Sequence, residues 1–191
     1  MSYRIVSLDP SMKVCGFAVM ELGQVLVEAG IITPNPRKGD SRIRIESLCD
    51  QWHRLLDDWK PEEIVIEWTT GHVIRSRHGG GGAGLSIYGI AVGALWRESI
   101  WWVRPRTRGQ CHPQVHTVTE NRWTGGRPKI RKGGQCFVSR QDIVAGIYPV
   151  YRPQDDPGGD IADAILLNYW WQRQRQLDAL RSQTQERKDV L

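Results

Sequence analysis

The spacing of apolar residues changes period along this chain, and each change marks an element. Residues 3–9 (Tyr-Arg-Ile-Val-Ser-Leu-Asp) and 15–20 read as two short strands joined by a turn over 10–14. A third apolar run, residues 24–32, follows the Leu22-Gly23 turn signal, and three strands linked this tightly predict an antiparallel meander. The period then lengthens. Ile45, Leu48, Cys49, Trp52, Leu55, Leu56 and Trp59 recur at three- and four-residue intervals, which predicts a helix over 41–59 that Pro61 ends. Residues 63–68 (Glu-Ile-Val-Ile-Glu-Trp) are a brief apolar run of the kind that forms a buried strand.

Residues 69–84 are rich in Gly, His and Arg and read as an exposed loop. The helical period returns over 85–98, and residues 100–104 read as a fifth strand. A long irregular stretch covers 106–137. Ser139 then opens a short helix, with Asp142 as its capping-box partner, and Pro149 ends it. A last helix starts near Asp160 and is apolar through Trp171. Trp52, Trp59 and Trp96 fit helical core stripes, while Trp101-Trp102 and Trp170-Trp171 each put one ring inside. The order βββ-α-β-α-β-α-α predicts an α/β fold: one domain over residues 1–191, with a mixed five-stranded sheet flanked by helices.

Composition narrows the class. Hydrophobic residues make up 40% and charged residues 25% of 191, which argues against wholesale disorder. No apolar run reaches the roughly 18–20 residues of a membrane span. The strand-like run starts so early that it leaves no room for a signal peptide. Cys15, Cys49, Cys111 and Cys136 are scattered, which suits a reducing compartment, and the expected location is the cytoplasm. Cys111, His112, His116 and Cys136 raise a zinc hypothesis, but no Cys-x-x-Cys occurs and reduced loop thiols are the simpler account. The glycine run over 79–84 lacks the Lys-Ser/Thr of a phosphate-binding loop.

Four acids stand in positions that call for explanation. Asp9 ends the first strand, and Glu67 lies near the end of the Ile64-Val65-Ile66 run. Asp160 and Asp163 open the last helix three residues apart, so both project from one face. Taken singly, Asp9-Pro10 reads as a turn, and Asp160 and Asp163 as a helix cap and a favourable first-turn acid. Taken together, with the first and fourth strands as neighbours, they predict converging carboxylates, which repel unless protonated or bound to cations. Oxygen-only ligands suit Mg²⁺ or Mn²⁺, and two such ions are a known device for phosphodiester displacement.

These residues resemble the RuvC family of Holliday-junction resolvases, within the RNase H-like superfamily. The resemblance lies in Ile5-Val6-Ser7-Leu8-Asp9-Pro10-Ser11 with Gly16-Phe17-Ala18-Val19, in Ile64-Val65-Ile66-Glu67, in Trp102-Val103-Arg104-Pro105-Arg106, and in Asp160-Ile161-Ala162-Asp163-Ala164. It implies an RNase H-like fold in which Asp9, Glu67, Asp160 and Asp163 are catalytic and hold two Mg²⁺ ions, with Mn²⁺ able to substitute. It also implies a homodimer that cleaves branched DNA, four-way junctions above all, to a 5′-phosphate and a 3′-hydroxyl. Ser11 stands where the family has glycine, and residues 69–74 stand where it carries an aromatic wedge, so that an apolar wedge would fall to Val73 or Ile74. Such departures suit a divergent, phage-borne type of member. Alternatives within reach of the same fold are a nuclease for RNA or flap DNA and a non-catalytic junction-binding scaffold. An actin-like ATP-binding fold also has a strand-end Asp, but it wants a second phosphate turn and a longer chain.

The net charge of +5 gains meaning from its position. Residues 101–135 hold Arg104, Arg106, Arg108, Arg122, Arg127, Lys129, Arg131 and Lys132 against Glu120, so the entire basic excess lies there. Trp123 stands among them, and cations beside an aromatic suit phosphate tracking with base stacking. Arg75 and Arg77 add a second basic cluster after Glu67. These ten cations are the expected DNA contacts.

Overall fold

The computed structural model describes residues 2–68, 83–103, 113–124 and 139–189. Five strands form one sheet: β1 (Arg4–Asp9), β2 (Cys15–Glu21), β3 (Val25–Ile32), β4 (Glu63–Trp68) and β5 (Gln114–Thr119). Their spatial order is β3-β2-β1-β4-β5. β1, β2 and β3 make the antiparallel meander, whereas β4 joins β1, and β5 joins β4, in parallel. The mixed five-stranded sheet expected from the pattern is therefore present, with β1 at its centre between β2 and β4.

Helix α1 (Ser41–Trp59) starts with the Asp40 side chain accepting from the Arg42 N–H, and ends where Lys60 turns left-handed at φ 47° before Pro61. It packs with α2 (Ala83–Val103) on one sheet face. The two-residue period decides what they cover: Val6, Leu8, Phe17, Val19, Ile64 and Ile66 meet Leu48, Trp52, Leu56 and Leu95 there. Fully burying each such aliphatic side chain contributes about 1.5–3 kcal/mol.

The other face carries the short α3 (Glu120–Thr124), α4 (Arg140–Ile147) and the long α5 (Asp160–Asp189), with a 3-10 turn over Pro153–Asp155. Ala18 and Met20 pack on Val144, Ala162 and Ile165, while Ile5 and Val65 pack on Val118, Trp123 and Leu167. Polar side chains fix how α5 lies on the strands. The buried Ser7 hydroxyl donates to the Ala164 carbonyl at 2.7 Å, and Asn168 Nδ2 donates to the Ile5 carbonyl at 2.8 Å. Gln172 Nε2 reaches the Glu21 carbonyl at 3.2 Å, and its Oε1 accepts from the Gln24 N–H at 3.0 Å. These bonds lay α5 along β1 and β2, with Ser7 holding its first turns toward the Asp9 end of β1.

Two expectations fail. Residues 100–103 continue α2 rather than forming the fifth strand, because their contacts recur at helical spacing. Ser99 donates to the Leu95 carbonyl and accepts from Trp52 Nε1 at 2.8 Å, and Trp102 Nε1 donates to Asp57 of α1 at 2.8 Å. A short continuous apolar run has no period of its own, so the packing partner decides. The fifth strand lies instead at Gln114–Thr119, within the stretch read as irregular. Trp96 also differs: it is 40% exposed, on the side of α2 away from the core. Among the described residues no helix is long and apolar enough to cross a membrane.

Candidate active site

Strand register brings the first two acids together. Leu8 pairs with Ile66 in the parallel β1–β4 ladder, so Asp9 and Glu67 follow as neighbours on adjacent strands. Both occupy the alternation positions that face α5, as Ser7 and Val65 do before them. Glycine brings in the third. Gly16 is the cross-strand partner of Asp9, and a Cβ added there would lie 1.9 Å from the Asp160 carbonyl oxygen. The backbone of α5 thus rests directly on the strand position opposite Asp9. Asp163 follows one turn later, its N–H bonded to the Gly159 carbonyl at 2.9 Å. All four predicted acids therefore belong to one corner of the fold, and Asp9, Glu67 and Asp163 are 8%, 2% and 7% exposed.

The cap of α5 is supplied from elsewhere. Buried Asp156 accepts from the N–H groups of Ile161 and Ala162 at 3.2 and 2.9 Å, and from the Tyr151 hydroxyl at 2.7 Å. Burial and this carboxylate push the Tyr151 hydroxyl pKa well up. Asp156 therefore does the capping that would have explained Asp160 as purely structural.

Two further groups hold the acids, and the sequence pattern did not single out either role. Trp123 Nε1 donates to Glu67 Oε2 at 3.1 Å. The indole is buried, so Trp123 faces inward and is not the exposed stacking platform that its basic surroundings suggested. Arg140, the first residue of α4, pairs with Asp163 and lays its guanidinium carbon 4.8 Å from the centre of the Trp123 ring. Among the described residues, no three His, Cys, Asp or Glu side chains are gathered closely enough to hold one ion as they stand.

The remaining predictions divide by position. Arg122 is exposed on α3, its guanidinium 6.0 Å from the Trp170 ring. Arg75, Arg77, Arg104, Arg106, Arg108, Arg127, Lys129, Arg131 and Lys132 lie outside the described residues, as do Val73, Ile74, Cys111, His112 and Cys136. His116 is on β5, its ring 4.4 Å from Trp171. It belongs to a second polar cluster at the far end of β4. There, buried Glu63 accepts from Trp171 Nε1 at 2.7 Å and pairs with the Tyr3 hydroxyl and Arg175. Cys15 lies near the acids, and burial, with Asp9 and Asp160 adding to it, pushes its thiol up to about 12.

Such an arrangement defines a class: an RNase H-like α/β fold with acids at the ends of its central strand and that strand's parallel neighbour, and at the start of the helix across them. Within that class the chain is RuvC-like. No family model matches it. It is similar to the crossover junction endodeoxyribonuclease RuvC of Campylobacter jejuni, 30% identical over 70 residues, which are 35% of this chain and 42% of that one. The RuvC of Methylobacillus flagellatus is 31% identical over 74 residues, covering 35% and 41%. The match thus spans about two-fifths of these curated relatives' length.

Solved structures extend the likeness to the whole fold. Thermus thermophilus RuvC in complex with a Holliday junction substrate superposes with a TM-score of 0.58 at 13% identity, over 90% of this chain and 96% of that one. The yeast mitochondrial Holliday junction resolvase gives 0.62 at 14% identity, over 97% and 84%. The RuvC resemblance read from the motifs, and the fold that it implied, are borne out.

Proposed function

We propose that the protein is an endodeoxyribonuclease that resolves four-way (Holliday) or other branched DNA junctions, acting in the cytoplasm. The observation that carries this reading is the shared corner of Asp9, Glu67, Asp160 and Asp163 in a fold like that of known resolvases. The donor set fits hard divalent cations, because it is carboxylate only and three of its acids, Asp9, Glu67 and Asp163, are buried where uncompensated charge is costly. Asp9, Glu67, Asp160 and Asp163 would hold Mg²⁺, with Mn²⁺ as a substitute. Bound there, the ions would supply Lewis acidity for attack of water on a phosphodiester.

The chain's own residues would do the rest. The β1–β4 ladder sets Asp9 beside Glu67, Trp123 orients the Glu67 carboxylate, and Asp156 keeps the start of α5 in place. Arg75, Arg77, Arg104, Arg106, Arg108, Arg122, Arg127, Lys129, Arg131 and Lys132 would contact phosphates. A homodimer would present two such corners to a junction. One face of α2 suits its interface: Gly89 and Gly93 look onto open space, and Ile90 and Trp101 are 56% and 57% exposed.

A second reading, a junction-binding scaffold without activity, draws on one specific observation: Glu67 and Asp163 are already engaged by Trp123 and Arg140. Incubation with a four-way junction, a flap, linear duplex and an RNA hairpin, each with Mg²⁺ and with EDTA, separates the two. Nicking of the junction that requires Mg²⁺ and is lost in Asp163→Asn is the expected result. Binding by the folded protein without metal-dependent cleavage would support the scaffold, and cleavage of the flap or the hairpin alone would reassign the substrate.

A further inference from the structure

Arg140 is placed with more care than a surface cation needs. It is the first residue of α4, directly after a complete capping box between Ser139 and Asp142, which fixes where its backbone starts. Its side chain is 15% exposed, that of its partner Asp163 9%, and the guanidinium lies on the face of Trp123. The same indole donates its N–H to Glu67. One cation therefore ties together two of the four acids, one directly and one through a ring it stacks on.

We propose that Arg140 is a built-in counter-cation that competes with divalent ions for Asp163, so that ion uptake and release of the guanidinium from this corner are one event. This rests on the reading of the four acids as ion ligands. Buried carboxylates at one corner cannot all stay ionised without positive charge among them. A guanidinium supplies that charge without titrating, since it stays protonated at any working pH. It holds one oxygen of Asp163, Oδ1, and a divalent ion taking that oxygen approaches to roughly 2.0–2.1 Å when it is Mg²⁺, where no guanidinium N–H fits as well. The two cations would then stand within a few ångströms of each other in a poorly screened site. Binding of one consequently weakens binding of the other.

The stacking gives the exchange a signature. When the guanidinium leaves Asp163, the Trp123 ring loses a cation from its face, and its N–H acceptor Glu67 takes a new partner. The indole proton should therefore change its resonance in step with ion binding, in the full-length protein without DNA.

Titration calorimetry with Mn²⁺ on the wild type, Arg140→Gln, Arg140→Lys and Asp163→Asn tests this, with the Trp123 indole signal assigned through Trp123→Phe and followed during Mg²⁺ titration. Arg140→Gln should bind Mn²⁺ about fivefold or more tightly than the wild type, a coupling of ordinary size between competing ligands. Arg140→Lys should stay near the wild type, and Asp163→Asn should bind more weakly. The Trp123 signal should move over the same Mg²⁺ range that fills the site. Equal or weaker Mn²⁺ binding by folded Arg140→Gln, or an unmoved Trp123 signal while the wild type fills, would overturn the competition and leave the ion-binding corner intact. Absence of Mn²⁺ binding in every variant would overturn both readings. Should Arg140→Gln fail to fold, the Arg140 Nε–H resonance of the wild type decides in its place: it should move over the Mg²⁺ range that fills the site, and an unmoved signal would overturn the competition.

Discussion

The indole N–H of Trp123 donates to the carboxylate of Glu67 at 3.1 Å, joining a helix that follows β5 to the end of β4. A buried carboxylate needs such a donor, and here it comes from a residue 56 positions away, within the basic segment. The most cationic stretch of the chain is thereby tied to one of its most buried acids.

Trp123→Phe removes the donor together with part of the buried ring system, so the double-variant cycle isolates the bond. Loss of the bond should lower stability by about 1.5–3 kcal/mol, the usual worth of a hydrogen bond to a charged group. Glu67→Gln should then cost less in the Trp123→Phe background than in the wild type. Urea denaturation of the two single variants and the double variant measures the coupling, and strict additivity would show that the bond contributes nothing.

Legibility in the sequence followed the range of the interactions. α1 was readable because Trp52 and Leu56 repeat at its own period, and β4 because Ile64-Val65-Ile66 is a short apolar run of strand length. β5 was not, since Gln-Val-His-Thr-Val-Thr holds only two aliphatic residues and its identity as a strand comes from pairing with β4. The acids were legible as a set, through their places at strand ends and a helix start. Their holders were not. Arg140, Trp123 and Asp156 are ordinary residues locally, and they gain their roles only when α3, α4 and α5 meet on one sheet face.

Capping and chemistry separate at the start of α5. Asp156 accepts two backbone N–H groups and a tyrosine hydroxyl, so Asp156→Ala should cost about 1–2 kcal/mol in denaturant. Below its melting temperature that variant should still cleave junctions. Asp160→Asn should do the reverse, losing cleavage at little cost in stability. Measuring both quantities on both variants tests the assignment, and loss of stability in Asp160→Asn together with full cleavage would return Asp160 to a structural role.

His116 gives the fold a pH dependence of known sign. Burial, with Arg175 adding to it and Glu63 opposing, holds the imidazole pKa below its ordinary value near 6.5. Between the folded and unfolded values the unfolded chain binds more protons. This contribution to stability is therefore complete above about pH 6.5 and is lost as pH falls through that value toward the folded one. His116→Gln lacks the effect. Urea midpoints at about pH 7.5, 6.5 and 5.5 should fall more steeply for the wild type than for the variant, and parallel slopes would rule the account out.

Gly16 sets the distance on which the acid corner depends. A Cβ there would meet the Asp160 carbonyl oxygen at 1.9 Å, its carbon at 2.3 Å and the Ile161 nitrogen at 3.0 Å, all of them backbone atoms that no rotamer change can move. Gly16→Ala must therefore displace the start of α5 away from Asp9, whose strand partner Gly16 is. Gly30→Ala is the natural comparison, because the new methyl meets only the Phe17 ring, at 2.9 Å. Both variants should lose stability in urea. Only Gly16→Ala should also lose cleavage in conditions where it is fully folded, by about 10²-fold, the usual cost of a misplacement near 1 Å in a catalytic site. Wild-type cleavage by folded Gly16→Ala would show that the approach of α5 to β2 does not position the acids.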